Sequence, residues 1–382
     1  MNPINLDIKS NSFNFLRLAL AILVLIAHSF ELGGFGYDPV FYFSQNIYSI
    51  GALAVDCFFA ISGLLITMSY KKINSLIVFL WHRFLRIFPG YWLCIILTSV
   101  LLQSIFLGYS DLSYAKHNFL GPCLTAFQSI IGFSLPLLLG WEPNLAAIAD
   151  KISIFGQHSI PGVFSGDHIN GSLWSLLHEF RLYFLIAFLG LTGLLRKWVI
   201  IGIALLSWSI YIYLIYKNPS WSGLAGSSTY RTTAHFLIGS LFYFTKPSFR
   251  HTYAILAFIS SVIFLKIGLY PIVSPITTAY IIFYLSMIIP FRSFGSRNDF
   301  SYGIYVYAFP TQKTLTAFSI NQYGILYYFL ISLIITFILS VFSWFLIEKN
   351  AMKLKYISLA PLLKIPRIYF KKYNQGNRVS QI

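Results

Sequence analysis

Ten apolar stretches, most of them long enough to cross a bilayer, divide this 382-residue chain and leave little choice of fold. They run approximately from Phe13 to Phe30, Ile47 to Tyr70, Phe88 to Gly108, Ser172 to Leu195, Trp198 to Tyr216, Tyr230 to Phe244, Thr252 to Gly268, Pro271 to Pro290, Ser301 to Phe318 and Gly324 to Ile347. At about 1.5 Å of rise per residue, helices of this length span a hydrocarbon layer of roughly 30 Å. Inside that layer every backbone N–H and C=O must be paired within the protein, which leaves helices and closed barrels. Continuous runs suit helices, whereas barrel strands alternate. With 57% apolar and only 10% charged residues, the chain lacks the charges to coat a soluble globule. The sequence therefore predicts an all-α polytopic membrane protein with about ten transmembrane helices.

An eleventh apolar run, Phe119 to Gly140, is interrupted by Pro122 and Pro136, and charge parity decides its status. If it does not cross, most of the 27 basic residues fall on one side, including the tail from Lys349 to Arg378. If it crosses, that bias collapses. The expectation is a re-entrant or interfacial segment, an outer loop from Trp141 to Asn170, and both termini in the cytoplasm. Residues 1–382 read as one domain, with spans over about 13–347 and a basic tail over 348–382. The formal charge of +16 reads as cytoplasmic anchoring against anionic lipid of an inner membrane. The cations form no groove-sized cluster, so nucleic acid is not an expected partner. Cys57, Cys94 and Cys123 offer neither a disulfide framework nor metal-ligand spacing, and no metal is expected. The first run keeps Arg17 and His28 and lacks a convincing cleavage site, so it reads as a span and not a signal peptide.

An ionisable side chain near the bilayer centre costs about 2.5–3.5 kcal/mol on insertion scales, so those within the runs need a reason. They are Arg17, His28, Asp56, Glu179, Arg181, Arg231 and His235. Arg17 and His28 are eleven residues apart, nearly on one helical face and about 16 Å apart along the axis. A guanidinium suits clamping phosphate, and an imidazole suits taking a proton from a hydroxyl. The same pair also fits a snorkelling Arg and a His at the outer interface. Arg83 and Arg86, in an expected loop reading Trp81 to Trp92, present two forks at the cytoplasmic mouth or serve as ordinary positive-inside anchors. Glu179, just beyond Trp174, either orients an imidazole or pairs with Arg181 or Arg231.

Four blocks, in order and spacing, carry a likeness to a known family: Phe15-Leu16-Arg17 followed by His28; Val55-Asp56-Cys57-Phe58-Phe59-Ala60-Ile61-Ser62-Gly63; Arg83-Phe84-Leu85-Arg86-Ile87-Phe88-Pro89-Gly90-Tyr91-Trp92; and Ser172-Leu173-Trp174-Ser175-Leu176 with Glu179 and Tyr183. Over nearly its whole length the chain resembles the acyltransferase-3 family of bacterial membrane O-acyltransferases. Ser301-Tyr302-Gly303-Ile304-Tyr305 and Phe345-Leu346-Ile347-Glu348-Lys349 are weaker echoes, with Ala308 where a His is often found and Asn350 where Pro is common. The resemblance implies a cytoplasmic acyl-CoA donor, commonly acetyl-CoA, and an acceptor hydroxyl on a surface polysaccharide, lipopolysaccharide or lipid-linked glycan. It implies that Arg17, Arg83 and Arg86 bind the donor's nucleotide end. His28 then acts as the base, supported by Glu179 and Asp56, with Trp174, Tyr302 and Arg231 lining the substrate path. The alternative class is a transporter or flippase of glycan intermediates, against which stands the absence of an inverted repeat.

Overall fold

The computed structural model describes residues 11–73, 75–98, 170–217, 221–295 and 298–356. The runs expected from Phe119 to Gly140 and from Trp141 up to Asn170, and the tail beyond Tyr356, lie outside the described residues. Among those described there is no extended strand, and the all-α expectation is borne out. The helices are α1 (Phe13–Leu32), a short α2 (Pro39–Phe43), α3 (Ile50–Ile73), α4 (Leu76–Leu97), α5 (Leu173–Leu191), α6 (Lys197–Lys217), α7 (Trp221–Thr245), α8 (His251–Lys266), α9 (Tyr270–Ile288), α10 (Ser301–Ala317) and α11 (Ile325–Ser343). A π turn (Trp344–Glu348), α12 (Lys349–Lys353) and a 3-10 turn (Leu354–Tyr356) close the described chain. Nine of the ten apolar runs coincide with a long helix, and the third, Phe88 to Gly108, falls on the end of α4 as far as it is described, its residues from 99 on lying outside the described ones. Six described helices are long and apolar enough to cross a membrane, with α11 running on to Lys353, so the protein is a multi-pass membrane protein.

One boundary departs from the sequence reading. The stretch Trp81 to Trp92, expected as a loop, lies inside α4, which starts at Leu76 rather than Phe88. Its cations sank the local hydropathy, yet Phe79, Leu85, Ile87 and Phe88 are buried between them, which is the pattern of a helix with one polar face.

Packing follows the rules of a fold in lipid, where small residues bring backbones together and freed carbonyls must find donors inside the protein. α3 and α7 cross at Gly63 and Gly239: a methyl on Gly63 would overlap the Phe236 carbonyl, and one on Gly239 the Ala60 carbonyl. Ser240 Oγ donates to the Gly63 carbonyl across the same crossing at 3.1 Å. Prolines within α9 and α10 each free a carbonyl four residues earlier. The one freed by Pro275, at Pro271, accepts from Trp208 Nε1 at 2.9 Å. The one freed by Pro310, at Val306, accepts from Asn170 Nδ2 at 2.9 Å and from Cys94 Sγ at 3.5 Å. Gln312 of α10 donates to Ser29 Oγ at 2.8 Å and to the Leu25 carbonyl at 2.9 Å, locking α10 along α1 on either side of the His28 level.

Candidate active site

At the end of the bundle where α1 and α10 begin, cations gather. α4 turns Arg83 and Arg86 three residues apart onto one face, as their spacing predicted. Arg86 Nη2 pairs with Asp299, ahead of α10, and its guanidinium stands 5.9 Å from the Tyr302 ring centroid. Tyr302 in turn donates to the Ile87 carbonyl at 2.6 Å, so it braces the Arg86 turn of α4. Asp299 also accepts from Ser301 N at 3.1 Å and Ser301 Oγ at 2.6 Å. Burial alone would raise the Asp299 carboxyl, but Arg86, Arg17 and the Ser301 donors hold it below the usual carboxylate range. Arg83 lies over Phe79 at 5.9 Å and reaches Ser69 Oγ only at 3.4 Å. Its Nε is buried with no hydrogen-bond partner among the described residues. Arg17, one face over on α1, is within electrostatic reach of Arg83 and of Asp299.

From this mouth a column of polar side chains climbs through the apolar core. Glu179 of α5 accepts a hydrogen bond from Tyr183 Oη, one turn along its own helix, at 2.7 Å, and another from Ser62 Oγ of α3. Arg83 is within electrostatic reach of both Tyr183 and Glu179, which joins the lower cluster to the middle of the bundle. Above Glu179, the hydroxyls of Ser175 and Tyr305 share a hydrogen bond of 2.6 Å, and Tyr305 feels the charge of Glu179 and of Arg231. Near the far end of α1, the half-buried His28 ring meets Phe309 edge-on, with centroids 5.2 Å apart. Phe309 rests on Gly171, just before α5. His28 Nδ1 is buried with no hydrogen-bond partner among the described residues. No hydrogen bond or ion pair links His28 to Glu179, Asp56 or Arg17. Trp174, at the start of α5, is 39% exposed and points away from the core.

Asp56 sits apart from that column, in a second buried cluster between α3 and α7. Its Oδ1 is 3.0 Å from Arg231 Nε, and its Oδ2 accepts from Tyr48 Oη and lies 3.5 Å from His235 Nε2. Arg231 also stands 5.5 Å from the Tyr48 ring centroid. His235 Nδ1 is 2.8 Å from the Arg231 carbonyl, so both ring nitrogens face acceptors. Asp56 and His235 are fully buried and Arg231 nearly so, which makes this cluster a closed knot of charge rather than a lining.

Sequence reasoning missed Ser62 and Tyr305 as column members, Asp299 as the partner of Arg86, and Tyr48 as the partner of Asp56. Two signals were available. Asp299 is one of only 11 acidic residues in a chain with 27 basic ones, and Tyr183 stands four residues from Glu179, on the same face.

A helical membrane bundle with a cationic mouth, a carboxylate midway and, near the opposite end, an imidazole whose Nδ1 has no partner among the described residues is a layout suited to a transmembrane group-transfer enzyme. The acyltransferase domain family matches residues 10–345, nearly the whole chain, and the chain belongs to it. An O-acetyl transferase of Shigella phage Sf6 is 30% identical over 365 residues, covering 90% of this chain and 96% of that protein. Nodulation protein 10 of Rhizobium leguminosarum bv. viciae is 25% identical over 381 residues, covering 93% of this chain and 96% of that one. No solved structure matches. The family resemblance read from the four blocks is thus borne out, and the chain is an enzyme, an O-acetyltransferase by family and by full-length relative.

Proposed function

We propose that the enzyme moves an acetyl or other short acyl group from cytoplasmic acyl-CoA to a hydroxyl of a surface polysaccharide, lipopolysaccharide or lipid-linked glycan. In this reading it crosses the cytoplasmic membrane ten times with both termini inside, which puts Arg17, Arg83 and Arg86 at the inner face and His28 near the outer one. The observation that carries the reading is the polar column itself: Arg83, Tyr183, Glu179, Ser62, Tyr305 and Ser175 follow one another through the bundle, apart from the Asp56 cluster.

The residues fit a nucleotide thioester. Arg83 is a half-buried fork whose buried Nε has no hydrogen-bond partner among the described residues, the kind of donor that a phosphate oxygen satisfies. The donor supplies an acyl carbon already activated as a thioester. Nδ1 of His28 accepts the proton of the acceptor hydroxyl as that oxygen bonds to the acyl carbon, and the same proton leaves with the departing thiol. Glu179, already holding Ser62 and Tyr183, lends negative charge midway and keeps both hydroxyls aimed into the column. Asp56 serves as counter-ion to Arg231, so that a knotted α3–α7 pair holds Ser62 in place for Glu179.

The test is transfer of label from acetyl-CoA into glycan by membrane vesicles, with coenzyme A binding measured on the purified protein. Wild type is expected to do both, and Arg83→Ala with Arg86→Ala to lose both. A purified protein indifferent to coenzyme A, in a strain whose surface glycan keeps every acyl ester after deletion of the gene, overturns the proposal.

A further inference from the structure

After its last long helix the chain turns back onto the protein. The π turn, α12 and the final 3-10 turn form a strap across the start of α4. Trp81 Nε1 donates to the Leu354 carbonyl at 3.4 Å, and Arg86 Nη1 reaches Met352 Sδ at 3.8 Å. Glu348, in the π turn, accepts from Ser343 Oγ at 2.7 Å, and with Tyr302 it fills the space over Gly90 of α4. The strap sets Lys355 half-buried within electrostatic reach of both Arg83 and Arg86, with Nζ 3.8 Å from Met352 Sδ.

Charge at this mouth does not balance. Arg17 from α1, Arg83 and Arg86 from α4 and Lys355 from the strap are four cations, and the carboxylates within electrostatic reach of them among the described residues are Asp299, Glu348 and Glu179, of which Asp299 is tied to Arg86 and Glu179 already accepts from Ser62 and Tyr183. Like charges brought together away from water need counter-charge. The surplus cation, and the Arg83 Nε that no described residue engages, call for an anionic ligand. The two kinds of cation also differ in use. Guanidinium forks clamp one phosphate in a fixed plane, while an ammonium on a four-carbon stem reaches a second phosphate as a point charge.

We propose that Lys355, delivered by the strap, is a donor-binding residue that holds a phosphate of the nucleotide end of the acyl donor beside Arg83 and Arg86. The inference rests on the acyl-CoA reading above and adds a residue and a segment to it. Burial first, then Arg83 and Arg86, push the Lys355 ammonium down to about 7. Among the described residues, Arg83, Arg86 and His82 of α4 are the charged or titratable groups that act on it, with Asp299 and Glu348 behind Arg86 and Arg17 behind Arg83. The charged form is the one that binds phosphate. Donor affinity therefore weakens as pH rises through about 7, because binding must then take up a proton.

The experiment measures coenzyme A dissociation constants for the full chain in nanodiscs, on either side of neutral pH, for wild type, Lys355→Ala, Lys355→Arg and the Arg83→Ala/Arg86→Ala pair. At the lower pH, Lys355→Ala is expected to bind about tenfold more weakly, the weight of one charge-assisted hydrogen bond. Lys355→Arg is expected to keep wild-type affinity and lose the pH dependence, with melting temperatures unchanged in both. Wild-type affinity in Lys355→Ala, while the double arginine variant loses binding, overturns the role of Lys355 and leaves the donor reading standing. Equal losses in Lys355→Ala and Lys355→Arg with lowered melting overturn it too, as a merely structural contact. Absence of coenzyme A binding in wild type overturns both.

Discussion

Replacing Asp56 by Asn changes one charge and almost no volume in the buried α3–α7 knot. The carboxylate lies 3.0 Å from Arg231 Nε, with Asp56 fully buried and Arg231 12% exposed. At that distance an effective dielectric constant of about 20 gives an attraction of roughly 5 kcal/mol, and breaking such a pair from one side costs about 3–5 kcal/mol in practice. Asn retains an acceptor for the Tyr48 hydroxyl and offers nothing to the guanidinium, so the loss falls almost wholly on Arg231. Set against a total stability of about 5–15 kcal/mol, this is a large fraction, and Asp56→Asn is expected to melt well below wild type and to accumulate poorly. Adding Arg231→Met removes the stranded charge and is expected to restore most of the melting temperature, together with acyl transfer. Trp fluorescence melting of the purified proteins, run beside the vesicle transfer assay, reads both quantities. An unshifted melting curve in Asp56→Asn, or a double variant no more stable than the single, refutes the counter-ion argument. A stable double variant that transfers nothing while coenzyme A binding survives would put Asp56 or Arg231 back in the chemistry.

His28→Ala is expected to cut transfer by about 10²–10⁴-fold with melting unchanged, because it removes a proton acceptor whose Nδ1 has no hydrogen-bond partner among the described residues; normal product levels would take His28 out of the mechanism. Arg17→Lys is expected to lose most donor affinity, since a point charge does not reproduce a planar fork; full affinity would mean that Arg17 only snorkels. Gly239→Ala is expected to destabilise by about 1–3 kcal/mol or more, because its methyl meets the Ala60 carbonyl and α3 and α7 must part; a silent variant, scored by melting, would show that the crossing yields.

Much of the fold was legible because hydropathy and helix length are the same signal in a membrane chain. Among the described residues, each of the ten apolar runs fell wholly or partly on a helix. The exception is instructive: α4 carries Trp81, His82, Arg83 and Arg86 in its first turns, and a window that averages over them reads loop where periodicity reads helix. The site was legible as a set of unusual residues, and not as an arrangement. Arg83, Arg86 and Glu179 declare themselves by charge in an apolar setting, but Ser62, Tyr305 and Tyr48 are ordinary side chains for a span, and only the helix crossings make them partners. Asp56 shows the same limit from the other side. Its charge marked it as exceptional, while its neighbour across the crossing, Arg231, is fixed by the register of α3 on α7, which no single segment encodes.

That register has a mechanical corollary. Where Gly63 and Gly239 bring main chain against main chain, there are no compliant side chains to swing aside, so α3 and α7 behave as one stiff beam. The seam between α4 and α5 is built the opposite way, from rings: Phe84 stacks on Phe88 and meets Trp92 edge-on within α4, and Phe180 of α5, itself edge-on to Phe184, meets Phe88 edge-on across the seam. Rings pivot where backbones do not. On the proposed donor path from Arg83 toward Glu179, a long thioester arm would meet a yielding aromatic seam and a rigid keel.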